Sequence, residues 1–336
     1  MKAPDFDYLR PSSLDAALAM LAEHDGEAMP LAGGQSLMPM MNFRVAAPEA
    51  LIDLADLTEL RGITVDAGTV RIGAMTRYAE LMSDATVQAH IPLIGMALPH
   101  IAHDAVRNRG TIGGSLALAD PAAEMPALML ALDASIEVTG PDATRMVKAD
   151  DFFLGMFETA LDGELITAIH VPVATPAQRF GFHELTQRHG DYALAGVAIA
   201  QTDDSYRAAF FGVADRATRV PELEAALTRQ DDMKEVFTHL NQIDFTDDLK
   251  ANHTTRQRLA GVALTRTLKG MTASQDRYQR ADAPNASSQP YRHSAEEVYP
   301  FSGGQILHPK IPSAATTHLP PSRPCDPPRH ACCRYE

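Results

Sequence analysis

Arg107-Asn108-Arg109-Gly110-Thr111-Ile112-Gly113-Gly114-Ser115 is the stretch from which the rest of the chain can be read. It begins where an apolar run through residues 98–106 ends, and it stops before a helix announced by Asp120-Pro121. Its glycines leave no Cβ between the backbone and a ligand, and they admit positive φ. Successive N–H groups of such a loop converge on an anion, and the Thr111 and Ser115 hydroxyls add donors. Gly-Gly pairs are also ordinary turn punctuation. Taken alone, the loop is a phosphate cradle or a turn.

A second loop of the same kind, Leu31-Ala32-Gly33-Gly34-Gln35-Ser36-Leu37, follows a short apolar strand candidate at residues 28–32. Two such loops in one domain would clamp the two phosphates of a dinucleotide from both sides. Neither matches GxGxxG with an acidic residue at the expected offset, nor GxxxxGK[ST]. A Rossmann or P-loop nucleotide site is therefore disfavoured.

Three segments carry a family resemblance: Ala32-Gly33-Gly34-Gln35-Ser36, Arg109-Gly110-Thr111-Ile112-Gly113-Gly114-Ser115, and Ala119-Asp120-Pro121-Ala122-Ala123-Glu124. Together they resemble the FAD-binding medium subunit of molybdenum hydroxylases, the group of the carbon monoxide, nicotine and xanthine dehydrogenases. The resemblance runs from about Tyr8 to about Lys269, with the motifs in family order. It implies an α+β fold: a PCMH-type FAD-binding domain of two α/β subdomains over residues 1–175. A small domain over residues 176–273 would follow, a three-stranded antiparallel sheet with a helical bundle. The cofactor implied is FAD. A molybdenum cofactor and two [2Fe-2S] clusters are expected on partner subunits, one large and one small, in a dimer of heterotrimers.

The resemblance also assigns residues. Ala32, Gly33, Gly34, Gln35, Ser36 and Leu37, with Thr111, Ile112, Gly113, Gly114 and Ser115, would hold the pyrophosphate. Asp120, Glu124, Leu165, Ile166 and Tyr192 would position the ribityl and ring portions, with His183 near the ring edge. The residues by themselves also admit plainer readings. Asp120 reads as a helix N-cap with Pro121 at the first helical position. Leu165 and Ile166 read as core strand residues, and Tyr192 and His183 as strand residues facing water. The methionine-rich run over residues 37–43 reads as adaptable packing.

The remaining pattern supports two domains. Ser12 or Ser13 caps a helix in which Leu14, Ala17, Leu18 and Leu21 share one face. With strands at residues 6–10 and 28–32 this makes a βαβ unit, its glycine loop at the carboxyl end where ligands of open α/β sheets bind. Residues 63–72 form a hairpin around Asp66-Ala67-Gly68, and helices are predicted at residues 77–82 and 92–103. Prolines at 172 and 176 mark a boundary. Three strands at residues 180–185, 193–200 and 206–213 follow, then helices, the last over about residues 247–269. From residue 274 to 336 prolines crowd in and methionine disappears, so this segment is expected to be a disordered tail.

The 336 residues are 45% hydrophobic and carry a net charge of −14, which argues against nucleic acid as a partner. No apolar run reaches membrane-spanning length, and the N-terminus has no secretion signal, so a cytoplasmic location is expected. Cys325, Cys332 and Cys333 are confined to the tail, which leaves the body without cysteine ligands for a cluster. His90, His100 and His103 are too irregularly spaced for a metal site. Acidic pairs such as Asp203-Asp204 and Asp231-Asp232 have no partner base, so no catalytic acid–base residue is assigned. The expected function is electron transfer through bound FAD, because the cofactor carries such chemistry and the chain tunes it. The alternatives are a self-contained FAD-dependent oxidase of the same fold and a non-catalytic nucleotide-binding or assembly module.

Overall fold

The computed structural model describes residues 2–202 and 205–281. Short apolar runs and one well-capped helix build a first, parallel sheet. β1 (Asp7–Leu9) leads through α1 (Leu14–Glu23) to β2 (Ala28–Leu31), and α2 (Leu37–Asn42) then precedes β3 (Ala50–Asp53). β3 lies between β1 and β2 and runs parallel to both. The expected βαβ unit therefore forms with a third strand inserted into it. The Ser13 hydroxyl caps α1 by accepting the Ala16 N–H at 3.1 Å, and Ala17 and Leu18 join Ala50 and Ile52 in one core.

A second sheet is antiparallel throughout. β4 (Ile63–Asp66) and β5 (Thr69–Gly73) form the hairpin expected around Gly68. Six short helices follow: α3 (Tyr78–Ser83), α4 (Ala85–His90), α5 (Pro92–Ala97), α6 (Asp104–Arg107), α7 (Ile112–Leu118) and α8 (Glu124–Ala131). The helix expected over residues 92–103 stops early. The chain turns at Ala102, where φ is 48°, and Arg107 Nη1 donates to the Ile101 and Ala102 carbonyls at 2.7 and 3.0 Å.

Next come β6 (Ser135–Thr139), β7 (Thr144–Lys148), α9 (Ala149–Phe152), the small hairpin of β8 (Phe153–Gly155) and β9 (Glu158–Thr159), and β10 (Leu165–Pro172). The sheet order is β4-β5-β10-β6-β7. β10 thus takes the centre, as its nearly continuous apolar sequence requires.

β11 (Arg179–Leu185), β12 (Ala195–Gln201) and β13 (Tyr206–Phe211) are the three strands expected of the second half, and the two-residue β14 (Thr218–Arg219) extends their antiparallel sheet. One face of this sheet packs with α10 (Pro221–Thr228), α11 (Met233–Thr238) and α12 (His253–Ala281). The other face, through Ala198, Ala209 and Phe211, shares a core with α8. All eight residues of α8 are buried, as befits a helix with almost no polar face set between two sheets. α12 runs beyond its expected end. Its last turns, through Ala281, occupy the start of the segment expected to be a disordered tail from residue 274, where no proline yet interrupts the helix. The rest of that segment, from residue 282, and the Asp203-Asp204 pair lie outside the described residues.

Candidate functional site

The first glycine loop leaves the carboxyl end of β2. Gly34 has φ 69°, a conformation that glycine adopts without Cβ strain. The carbonyls of the loop are engaged. Gln35 Nε2 donates to the Gly33 oxygen at 3.1 Å, and the Met38 and Met40 N–H groups donate to the Gly34 and Ser36 oxygens at 3.2 and 3.1 Å. The donors are not: among the described residues, the N–H groups of Gly33, Gly34, Gln35 and Ser36 have no acceptor. Ser36 occupies the N-cap of α2, yet its hydroxyl makes no cap bond. Half-buried backbone donors are rarely left unpaired. A row of four at a strand end is a place for an anion's oxygens.

The second loop uses its donors internally. Ile112 N–H donates to the Thr76 carbonyl at 3.1 Å, Gly113 N–H to the Ala74 carbonyl at 2.8 Å, and Gly114 N–H to Thr111 Oγ1 at 3.1 Å. A Cβ at Gly113 would lie 2.6 Å from that of Ala74, so the glycine lets α7 sit directly on the chain leaving β5. These three N–H groups therefore do not form the anion cradle expected of them. The loop instead backs the first one. A Cβ at Gly33 would fall on the Arg109 carbonyl, and one at Gly114 would lie 3.3 Å from that of Ala32. The two loops are in backbone contact; the first presents a row of four free donors, whereas in the second, among the described residues, the Thr111 N–H alone lacks an acceptor.

Acidic and phenolic side chains gather beside this seam. The Tyr192 hydroxyl reaches both Asp120 and Ser36, and the Tyr78 hydroxyl faces Ser115. Burial pushes Glu124 up to about 7, with the Asp120 charge adding to it. Burial also raises Asp120, against the opposing hydrogen bonds from Ala122 N–H and Tyr192. Tyr192 is pushed up to about 12 by burial and by the charges of Asp120 and Glu124. One end of the site thus offers N–H donors for anions, and the other offers carboxyls for hydroxyl or N–H donors.

Asp120 is not the helix cap that its Asp-Pro sequence suggests. Its Oδ1 accepts the Ala122 N–H at 2.9 Å, while α8 begins at Glu124 with Ala123 as N-cap. The reason is long-range: the Pro121 carbonyl accepts the Gly212 N–H at 2.8 Å, which holds this segment to the end of β13 in the β11-β12-β13-β14 sheet. Leu37 opens α2 directly beyond the first loop.

Not every expected residue joins the group. Leu165 and Ile166 are buried in two different cores on β10 and have little surface left to offer. His183 lies on the α12 face of β11, its Nε2 3.3 Å from Arg266 Nη1. Its neighbour Glu184 takes the other face, with Oε1 3.4 Å from His100 Nδ1. Tyr78 and Glu184 are the residues that reading the sequence missed. The signal for Glu184 was the alternation Phe180, Phe182, Glu184, which puts the carboxyl on the face bearing the phenylalanines. Tyr78 carried no such mark.

Residues 4–174 match the family described as the FAD binding domain in molybdopterin dehydrogenase. The caffeine dehydrogenase subunit beta of Pseudomonas sp. (strain CBB1) is 34% identical over 280 residues, covering 80% of this chain and 95% of that one. The carbon monoxide dehydrogenase medium chain of Hydrogenophaga pseudoflava is 42% identical over 225 residues, 65% of this chain and 78% of that one. Among solved structures, carbon monoxide dehydrogenase from Hydrogenophaga pseudoflava superposes with a TM-score of 0.78 at 38% identity, covering 81% of this chain and 99% of that chain. Quinoline 2-oxidoreductase from Pseudomonas putida 86 gives 0.76 at 35% identity, covering 82% and 99%. The chain belongs to the FAD-binding family of molybdopterin dehydrogenases. It is the flavoprotein component of an oxidoreductase of that class.

Proposed function

We propose that this chain is the medium subunit of a heterotrimeric molybdenum hydroxylase. It takes electrons from [2Fe-2S] clusters on a small partner subunit and passes them to an external acceptor. A large partner carrying the molybdenum cofactor hydroxylates the substrate, and two heterotrimers pair. The observation that carries the reading is the row of unpaired N–H groups at Gly33, Gly34, Gln35 and Ser36, within a matched FAD-binding domain.

FAD, when bound, supplies a carrier that accepts electrons one or two at a time. The chain's own residues then have separable tasks. The first loop takes the pyrophosphate oxygens on its backbone donors, and the second fixes that loop from behind. Asp120 and Glu124 accept hydrogen bonds from hydroxyl or N–H groups, and Tyr192 covers the pocket from the side of the β11–β12 connection. His183 would act only through Arg266, and Leu165 and Ile166 as walls behind the pocket.

The division at about residue 175 fits a cofactor domain followed by a covering domain. A cytoplasmic location is part of the same proposal, supported by a body whose sequence carries no cysteine. Among the described residues no helix is long and apolar enough to cross a membrane.

The test is to purify the full chain, denature it and identify any released flavin by chromatography. One FAD per chain is expected. A colourless protein that also fails to take up added FAD would sink the proposal.

A further inference from the structure

Glu184 is a buried carboxyl with an incomplete set of partners. Its side chain is 3% exposed, and among the described residues Oε1 meets only His100 Nδ1 and Oε2 has no hydrogen-bond partner. The groups facing it come from each surrounding element. The turn after α5 brings His100, whose ring meets that of His189 edge-on with centroids 5.9 Å apart. α8 brings Glu124, whose charge acts on Glu184. β11 and β13 bring Phe182 and Phe211, stacked at 5.8 Å, which exclude water from that side. His183 and Arg266 face each other on the opposite side of the strand.

Among the described residues, no lysine or arginine forms an ion pair with Glu184 or Glu124. Two buried carboxyls within each other's field, with no cation between them, cannot both ionise. The pair therefore keeps a proton at neutral pH, and burial accordingly pushes Glu184 up to about 8. His100 differs in one respect: its side chain is 40% exposed, so it touches solvent and the buried carboxyl together. Burial and the nearby His189 lower its affinity for a second proton, which leaves a neutral imidazole able to pass one on.

We propose that His100 and Glu184 form a proton relay between solvent and the buried acidic end of the flavin pocket. The proposal rests on the FAD reading above. Two electrons reaching FAD from the iron–sulfur clusters are accompanied by one proton (FAD + 2e⁻ + H⁺ → FADH⁻). Glu184 gives up that proton and becomes carboxylate. His100 delivers a replacement to Glu184 and is itself reprotonated by water. When the electrons leave for the external acceptor, the proton returns along the same groups.

The test uses the full FAD-loaded chain. Pulse radiolysis delivers electrons to the flavin, and a pH-indicator dye follows proton uptake. Glu184→Gln and His100→Ala should each slow uptake at least roughly tenfold while leaving electron arrival unchanged. Added imidazole should restore His100→Ala but not Glu184→Gln. In infrared spectra of the chain without FAD, a protonated-carboxyl carbonyl band should persist past pH 7, and Glu184→Gln should remove the part of it that titrates last, leaving the Glu124 part. Wild-type uptake rates in both FAD-loaded variants would overturn the relay. If Glu184→Gln does not fold, His100→Ala decides alone. Absence of FAD from the wild-type chain would count against the functional proposal instead, and the infrared band would still decide whether Glu184 holds a proton.

Discussion

In the loop after β2 the backbone donors of Gly33, Gly34, Gln35 and Ser36 are unpaired, whereas after α6 those of Ile112, Gly113 and Gly114 are taken by Thr76, Ala74 and Thr111. Both loops carry Gly-Gly and a serine, and each leads into a short helix. The glycines nonetheless answer different demands. Gly34 is needed for a positive φ that turns donors outward, and Gly113 is needed because a helix lies on Ala74 with no room for a methyl group. The difference teaches that a glycine pair marks close backbone approach. Whether the approaching atoms belong to a ligand or to the chain is decided by the hydrogen-bond count.

The strongest way to break this comparison is to attack the seam between the loops. Gly33→Val would drive a side chain into the Arg109 carbonyl, a backbone atom that cannot rotate away. No soluble, flavin-bearing protein is expected, as read by yield and visible absorbance. Gly113→Ala is the next largest. It should lower stability by about 3 kcal/mol in urea unfolding of the FAD-free chain, through overpacking against Ala74. At saturating FAD the folded variant should still bind one FAD. Loss of FAD without loss of stability would mean that the second loop is a cradle after all.

A chemical test addresses the acidic end that adjoins the second loop. Glu124 has a folded pKa of about 7, raised by burial above its ordinary value of 4.5. The folded chain therefore binds more protons than the unfolded one. The stabilisation this gives is complete at pH below about 4.5 and is lost as pH rises through about 7. Between pH 5 and 8 the FAD-free chain should lose roughly 2 kcal/mol more than Glu124→Gln does. Parallel urea midpoints across that range would show that Glu124 is not held protonated.

Much of this was visible in the residues. The loops announce themselves, since Gly-Gly beside serine has few uses, and the Ser13 cap, the β4–β5 hairpin and the three long strands of the second half follow from local pattern. What escaped depends on partners far along the chain. Asp120-Pro121 has the composition of a helix start, but the Gly212 N–H holds the Pro121 carbonyl and delays α8 to Glu124. His183 and Glu184 are adjacent polar residues on one strand; the alternation with Phe180 and Phe182 separates their faces, but that the phenylalanine face meets α8 and Glu124 while the other meets α12 depends on distant packing. The spent donors of Gly113 and Gly114 were equally hidden, because Ala74 and Thr111 are unremarkable acceptors.

The smallest expected effects give the sharpest contrast, because they exchange two hydroxyls that look equivalent in the sequence. Thr111 Oγ1 caps α7 by accepting the Gly114 N–H, so Thr111→Ala should lower stability by about 1 kcal/mol. FAD affinity should stay within about twofold of wild type, since that hydroxyl is already committed. Ser36 stands at the corresponding position of the first loop, and its hydroxyl caps nothing. Ser36→Ala should therefore move the unfolding midpoint of the FAD-free chain less than Thr111→Ala does, since it loses only the contact with the half-exposed Tyr192 hydroxyl. It should weaken FAD binding about fivefold, the loss of roughly 1 kcal/mol from one neutral hydrogen bond. Fluorescence titration of FAD and urea unfolding on the same two variants would measure both quantities. If the two substitutions gave the same pattern, the loops would share one role, and the unpaired donors of the first would be no guide to where the phosphates lie.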